Sequence, residues 1–106
     1  MKLVEVKVVG MHFRGADAVQ LAESLTAGEP LTLEREADNP HDINAVKVFY
    51  QDTWLGYIER GQAAWIAGEL DDDPNNYVCT VTGHEAVTNA RGKENVYPVV
   101  EIHIGE

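Results

Sequence analysis

The chain has 106 residues, of which 44% are hydrophobic and 25% are charged, so we expect one globular domain over residues 1–106 and exclude a disordered or coiled-coil protein. Eighteen acidic against eight basic residues give a net charge of −10, which opposes non-specific duplex binding and confines any nucleic-acid role to a small pocket. The single cysteine excludes an intrachain disulfide, and because no apolar run has signal or membrane length, we expect a cytoplasmic protein without a membrane partner.

The N-terminal part of the chain predicts a strand followed by a short helix. Apolar and charged residues alternate over 4–8, which is typical of a half-buried strand, and Gly10 ends it. After Gly15 the apolar residues recur at the spacing of one helix face. They are Ala18, Leu21, Ala22 and Leu25. Gly28 is the predicted stop of this helix.

The middle of the chain predicts three strands. The first covers 31–36 and runs into a turn at 37–42, which is rich in Asp, Asn and Pro. The next two strands, 43–50 and 53–59, are rich in β-branched and aromatic residues. Residues 51–52 join them as a tight hairpin.

The last part predicts a second short helix and two closing strands. The apolar face of the helix consists of Ala63, Ile66, Ala67 and Leu70, and the acidic run of Glu69, Asp71, Asp72 and Asp73 is predicted to be a solvated loop after it. Strands 77–83 and 96–104 flank a loop that contains Gly92, and Cys79 is expected to be a small apolar strand residue. The order β-α-β-β-β-α-β-β indicates a mainly β protein that forms a closed or nearly closed barrel.

Catalytic and metal-binding patterns are missing from the sequence. The only serine, Ser24, falls in a predicted helix, and neither a phosphate-binding glycine loop nor a zinc-protease motif occurs. His12, His41 and Asp42 are residue types that bind metals, but their positions lack a ligand spacing. We therefore expect no enzyme activity, no catalytic residue, no metal and no cofactor.

One stretch carries a more specific pattern. Residues 33–48 read LEREADNPHDINAVKV, residues 55–58 read LGYI, and an alanine-rich helix follows. Together with GMHFRG at 10–15, this pattern resembles the HIRAN domain family, found at the front of certain Snf-type DNA translocases and as a free-standing protein in bacteria and phages. The resemblance implies a six-stranded, modified OB-like barrel with two helices. It also implies a module that binds the 3′ end of single-stranded DNA.

The resemblance implies a stacking site for the terminal base. Phe13 matches an aromatic residue that stacks on that base, and His12 lies beside it. His41 takes the place of a residue that stacks on the other side of the base. From the residue types alone, one base can stack between Phe13 and His41, and Arg14 or Arg60 can supply the cationic contact that binding of a single strand needs.

The resemblance also implies contacts to the DNA end and to the phosphates. Asn39 matches a position that meets the DNA end, and Asp42 matches a carboxylate that accepts the terminal 3′ hydroxyl. Tyr57 and Arg60 match polar and basic groups near the phosphates. A module of this kind is expected to act in DNA repair or replication-fork processing beside a helicase, translocase or nuclease.

Structural roles for the same residues stay open at this point. The turn residues Asn39, Pro40 and Asp42 can serve the fold alone, and Gly56 can permit a bend or a close approach in its strand. The alternative function is an acidic protein-interaction module with a decayed DNA pocket. The charge around Phe13, Asp42 and Arg60 separates the two, since a neutral or positive cleft favours DNA and an acidic cleft favours a protein partner.

Overall fold

Short strands alternate with two helices in the computed structural model, which describes residues 2–105. The elements are β1 (Lys2–Val9), α1 (Ala16–Ser24), β2 (Pro30–Arg35), β3 (Val46–Tyr50), β4 (Thr53–Ile58), α2 (Arg60–Asp72), β5 (Tyr77–Thr88) and β6 (Glu94–Ile104). The predicted order of strands and helices is confirmed. A 3₁₀ turn at Met11–Phe13, which the sequence pattern does not predict, joins β1 to α1.

Within residues 2–105 the six strands form a closed barrel in the order β1-β4-β3-β2-β5-β6, and every neighbouring pair is antiparallel. The predicted small barrel is thereby confirmed, and its closure removes exposed sheet edges. Inward-facing apolar side chains fill the barrel, and one face of α2 packs against them. The largest fully buried side chains of this core include Met11, Leu55, Ile66, Val100 and Ile102.

The barrel closes through a short contact between β1 and β4. Only two residue pairs join these strands in the described part of the chain, Val8 with Ile58 and Val9 with Tyr57. At Gly56 the backbones approach so closely that a Cβ atom would lie 2.2 Å from the carbonyl oxygen of Val9. The interpretation of Gly56 as a site of close approach is confirmed, because only glycine fits there.

The bounds of β3 and β4 differ from the prediction at one end each. β3 begins at Val46 and not at position 43, because Asp42 Oδ1 accepts the backbone N–H of Asn44 at 2.9 Å and keeps the following residues in the turn. β4 ends at Ile58 and not at position 59, because Glu59 is the N-cap residue of α2. Local hydrogen bonding of the turn overrides the strand propensity of its sequence.

The predicted stop of α1 at Gly28 is wrong. The helix ends at Ser24, and Leu25 is already extended, with a ψ of 141°. Gly28 has a φ of +95° in the turn before β2, where its N–H donates to the carbonyl oxygen of Val81 at 2.7 Å. The glycine therefore provides the left-handed conformation of this turn and does not cap the helix.

The acidic run lies in a helix, where the sequence predicted a loop. Three of its four residues belong to α2, and Asp73 is the C-cap. Carboxylates are unfavourable at the negative end of a helix dipole, but Lys2 pairs with Glu69 and Arg35 pairs with Asp71. Cations that reach across from β1 and β2 thus offset the local repulsion.

The hairpin of β5 and β6 is longer than predicted. Its ladder continues to the pair Thr88 and Glu94, whereas the prediction ended the strands at Gly83 and Val96. The residues of β5 beyond Gly83 are exposed, so their sequence lacks the alternation by which a buried strand is recognised.

Cys79 faces the interior of the barrel from β5, as expected of a small apolar strand residue. Its side chain is buried and it forms no disulfide. Burial raises the pKa of the Cys79 thiol to about 12. The thiol therefore stays protonated at neutral pH.

Substitution of Gly56 by alanine is expected to lower the free energy of unfolding by roughly 2–4 kcal/mol, because the new methyl group must push the backbone of Val9 away at the barrel closure. Chemical denaturation measures the loss. Gly68→Ala is the matched control, because Gly68 lies inside α2 with open space around its Cα, and it is expected to add about 0.5–1 kcal/mol. Equal stability of Gly56→Ala and the wild type would contradict the proposed constraint.

Candidate functional site

A cleft of about 320 Å³ opens where the 3₁₀ turn, the turn after β2, the end of β4 and the start of α2 meet. The 3₁₀ turn, the turn after β2 and the junction of β4 with α2 are distant from one another in sequence. The pairing of β1 with β4 brings the first beside the last, and the pairing of β3 with β2 and β4 brings in the turn. The lining residues are Val9, Gly10, Phe13, Arg14, Asn39, His41, Asp42, Ala45, Tyr57, Ile58 and Arg60. Apolar surface with a few polar groups of this kind is typical of ligand sites.

Six of the seven residues predicted for the site line this cleft. They are Phe13, Asn39, His41, Asp42, Tyr57 and Arg60. Phe13 is 86% exposed, which is unusual for a phenylalanine in a folded domain. The distant positions singled out in the sequence therefore share one surface.

His12 lies outside the cleft. Successive residues of a 3₁₀ helix point in directions about 120° apart, so the side chains of His12 and Phe13 diverge. His12 lines a separate groove between α1 and the β5–β6 hairpin, together with residues such as Val19 and Lys93. The structure gives no support to its predicted place beside the stacked base.

The turn after β2 is built by its own side chains. Asn39 Oδ1 accepts the backbone N–H groups of His41 at 2.8 Å and Asp42 at 3.0 Å. Asn39 Nδ2 donates to Glu36 Oε1 at 2.7 Å. Both ends of the Asn39 amide are thus occupied, and this residue serves the turn while it lines the cleft.

Asp42 and Arg60 form the charged wall of the cleft. Asp42 Oδ1 accepts the N–H of Asn44, and Oδ2 lies 3.5 Å from Arg60 Nε. Arg60 also donates from Nη2 to the carbonyl oxygen of His41 at 2.6 Å. Because an ionised carboxylate offers about four acceptor positions, Asp42 retains capacity for a further donor.

Glu36 is a supporting residue to which the sequence pattern assigned no role. Its Oε1 accepts hydrogen bonds from Asn39 Nδ2 and from the Tyr57 hydroxyl, each at 2.7 Å, and its Oε2 lies 3.0 Å from Lys47 Nζ. Burial raises the pKa of the Glu36 carboxyl, but the hydrogen bonds from Tyr57, Asn39 and Lys47 outweigh it and lower the pKa below 4.5. Glu36 lies within the stretch 33–48 that resembles the family, but no role was predicted for it, and its residue type does not stand out among eighteen acidic residues.

Tyr57 connects this network to a cluster of aromatic and basic residues. Burial, and then its hydrogen bond to Glu36, raise the pKa of the Tyr57 hydroxyl, so the phenol stays protonated. Its ring meets that of Trp54 edge-on, with the centroids 5.6 Å apart. The guanidinium carbon of Arg14 lies 3.8 Å from the centroid of Trp54. This stack places a second arginine at the cleft.

Among residues 2–105 no group of His, Cys, Asp and Glu side chains forms a metal-binding cluster. In the same part of the chain no helix is long and apolar enough to cross a membrane.

Comparisons with known proteins give one family and two similar structures. The family model described as the HIRAN domain matches residues 1–101. A crystal structure of a protein from Lactobacillus plantarum is 28% identical, with a TM-score of 0.63, over 96% of this chain and 97% of that chain. The crystal structure of the HIRAN domain of human HLTF is 18% identical, with a TM-score of 0.59, over 96% of this chain and 76% of that chain. A search of curated proteins gives no match.

Glu36→Gln is expected to destabilise the protein at neutral pH, with a smaller difference from the wild type in acid. The lowered pKa means that ionised Glu36 stabilises the fold fully above its unfolded pKa of about 4.5, and that this contribution disappears as the pH falls through the lower folded value. Urea denaturation of both proteins between about pH 7 and pH 3 measures the difference. A difference independent of pH would contradict the assigned charge.

Proposed function

The chain belongs to the HIRAN domain family of nucleic-acid-binding modules, and we propose that its cleft binds the 3′-hydroxyl end of a single DNA strand. The observation that supports this proposal is the convergence of an exposed aromatic ring, a carboxylate and two arginines on one small cleft. These groups suit the base, the terminal hydroxyl and the phosphate of a terminal nucleotide. We assign the module no catalytic role of its own.

Stacking provides the first contact. Phe13 projects from the 3₁₀ turn with most of its ring exposed, and His41 is exposed on the same cleft. A base between these rings gains about 1–3 kcal/mol from each good stacking contact, whatever its identity. The proposed site therefore binds a terminal base of any identity and does not select a DNA sequence.

The carboxylate of Asp42 provides the second contact and selects the end. Its free acceptor positions suit the 3′ O–H of a terminal deoxyribose, and a charge-assisted hydrogen bond of this kind contributes about 1.5–3 kcal/mol. A 3′ phosphate offers no donor at neutral pH and brings negative charge toward Asp42. The same group thus favours one end and opposes the other.

The charge of the cleft favours DNA over the alternative of an acidic protein-interaction module. Arg14, Arg60 and Asp42 are the formally charged side chains that line it, so with histidine counted as neutral its lining carries one net positive formal charge, although the chain carries −10. An acidic cleft would favour a basic protein partner. The local sign therefore supports the binding of a phosphate-containing ligand.

A single stacked nucleotide supports only weak binding, on the order of micromolar, because association costs several kcal/mol. Such an affinity suits a module that works beside a partner already bound to the same DNA, since tethering raises the effective concentration. The proposed partner is a helicase, translocase or nuclease in DNA repair or fork processing.

Phe13→Ala is expected to weaken single-stranded DNA binding by about 1–3 kcal/mol, because it removes one stacking surface. Stability should change by less than about 0.5 kcal/mol, because the ring is exposed. Fluorescence anisotropy and thermal denaturation measure the two quantities. Val78→Ala is the matched control, because Val78 is 59% exposed and lies outside the cleft. Unchanged DNA affinity of Phe13→Ala would contradict the stacking role.

The wild type is expected to prefer a 3′-hydroxyl over a 3′-phosphate oligonucleotide by roughly 10-fold or more. Asp42→Asn should keep the turn but lose most of this preference, because it removes the negative charge and releases Arg60. Anisotropy titrations with the two ends measure the ratio. Asp38→Asn is the matched control, since Asp38 belongs to the same turn but not to the cleft lining. Equal affinity of the wild type for both ends would reduce Asp42 to a turn residue and favour the protein-interaction alternative.

A further inference from the structure

The basic side chains of this acidic protein differ in whether they form an ion pair with a carboxylate. Five of the eight form ion pairs with carboxylates, namely Lys2, Lys7, Arg35, Lys47 and Arg60. Within residues 2–105, Arg14, Arg91 and Lys93 have no such partner, and the last two lie in the exposed loop between β5 and β6. Of the two arginines at the cleft, Arg60 forms an ion pair with a carboxylate and Arg14 forms none within residues 2–105.

Arg60 is poorly suited to bind a phosphate by itself. Its guanidinium donates to the carbonyl oxygen of His41 and lies beside Asp42. A phosphate that approached Arg60 would have to displace these contacts and would meet the negative charge of Asp42. Arg60 thus serves mainly to join the start of α2 to the turn.

Arg14 is held in place by an aromatic ring and not by an acid. Its guanidinium lies over Trp54 at 3.8 Å, a close cation–π contact. Trp54 is fixed in turn by the hydrogen bond from its indole Nε1 to the carbonyl oxygen of Gly56 at 3.0 Å. Stacking uses the face of the guanidinium and leaves its N–H groups, which lie in the plane, available for a bidentate contact.

We propose that Arg14 binds the phosphodiester adjacent to the 3′-terminal nucleoside, and that Trp54 is the residue that positions it. This inference rests on the proposed function, because it adds the phosphate contact to a nucleoside held by Phe13 and Asp42. Phe13 and Arg14 are consecutive residues that both line the cleft, so base and backbone contacts arise from the same turn.

The test compares the wild type with Arg14→Gln on short single-stranded oligonucleotides. Arg14→Gln is expected to bind about 10-fold more weakly, since one charge-assisted contact is lost. The slope of log K against log salt should become less steep by about 0.7, the value for one phosphate of a single strand. Arg91→Gln, which removes an equal charge at the hairpin loop, should change neither quantity.

Oligonucleotides with a single neutral methylphosphonate linkage locate the contact. The wild type should lose about 10-fold in affinity when the first linkage from the 3′ end is neutral and little when a linkage further along is neutral. Arg14→Gln should be insensitive to the first substitution, whereas Arg14→Lys should keep part of the affinity and of the sensitivity.

The role of Trp54 is tested by coupling. As a single substitution, Trp54→Leu should weaken DNA binding, and Trp54→Phe should weaken it less because an aromatic ring remains under Arg14. In a protein that already carries Arg14→Gln, adding Trp54→Leu should change the DNA affinity little. Thermal denaturation of each variant separates this coupling from a loss of folding.

The outcomes distinguish this inference from the function on which it rests. If the wild type binds 3′-hydroxyl ends while Arg14→Gln keeps its affinity, its salt slope and its methylphosphonate sensitivity, the assignment of Arg14 is overturned and the proposed function stands. If the wild type binds no single-stranded DNA, both are overturned.

Discussion

The Glu36 carboxylate joins the turn after β2 to strands β3 and β4, and the shape of the cleft depends on it. Its two oxygens hold Asn39, Tyr57 and Lys47. Its backbone is engaged as well, because the N–H of Glu36 donates to Ala45 and its carbonyl accepts from Asn39. A half-buried charge is unfavourable unless it is fully hydrogen-bonded. The hydrogen bonds that satisfy the Glu36 carboxylate also fix the turn that carries Asp42 and hold the side chain of Tyr57 at the cleft.

The net charge of the whole chain and the charge of the cleft lining have opposite signs. The net charge of −10 acts over a Debye length of about 8 Å or more and opposes the approach of any polyanion. The lining of the cleft itself has a net positive formal charge, because it contains two arginines and one carboxylate. A partner that holds DNA beside the cleft would raise the effective concentration of the strand there and so offset part of this repulsion. Non-specific adsorption to duplex DNA is suppressed at the same time.

The parts of the structure that the sequence predicted correctly are governed by local patterns. The six strands, the two helices and the tight turn at Gln51 follow from period-2 alternation, helical spacing and hairpin chemistry, and Gln51 indeed has a φ of +53°. The resemblance of residues 10–15, 33–48, 55–58 and the following helix to a family further indicated which positions would share a surface. Six of the seven did so.

The remaining features depend on contacts between distant residues. Arg14 and Trp54 are forty positions apart, and nothing in either segment indicates that a 3₁₀ turn will place one on the other. The same turn directs His12 away from the cleft. The choice of Glu36 among many acids, and the helical position of the acidic run, follow from the location of Lys47 and Arg35 in three dimensions. Sequence periodicity contains no information of this kind.

The buried thiol of Cys79 makes the protein convenient for site-directed spectroscopy. A maleimide or methanethiosulfonate reagent reacts with thiolates, and this thiol is both shielded by the barrel and protonated at neutral pH, since its pKa is about 12. Because the chain has no other cysteine, a single cysteine introduced on the exposed β5–β6 loop would be the sole reactive position. A fluorophore or spin label could then report on the surroundings of the barrel without prior removal of the native residue.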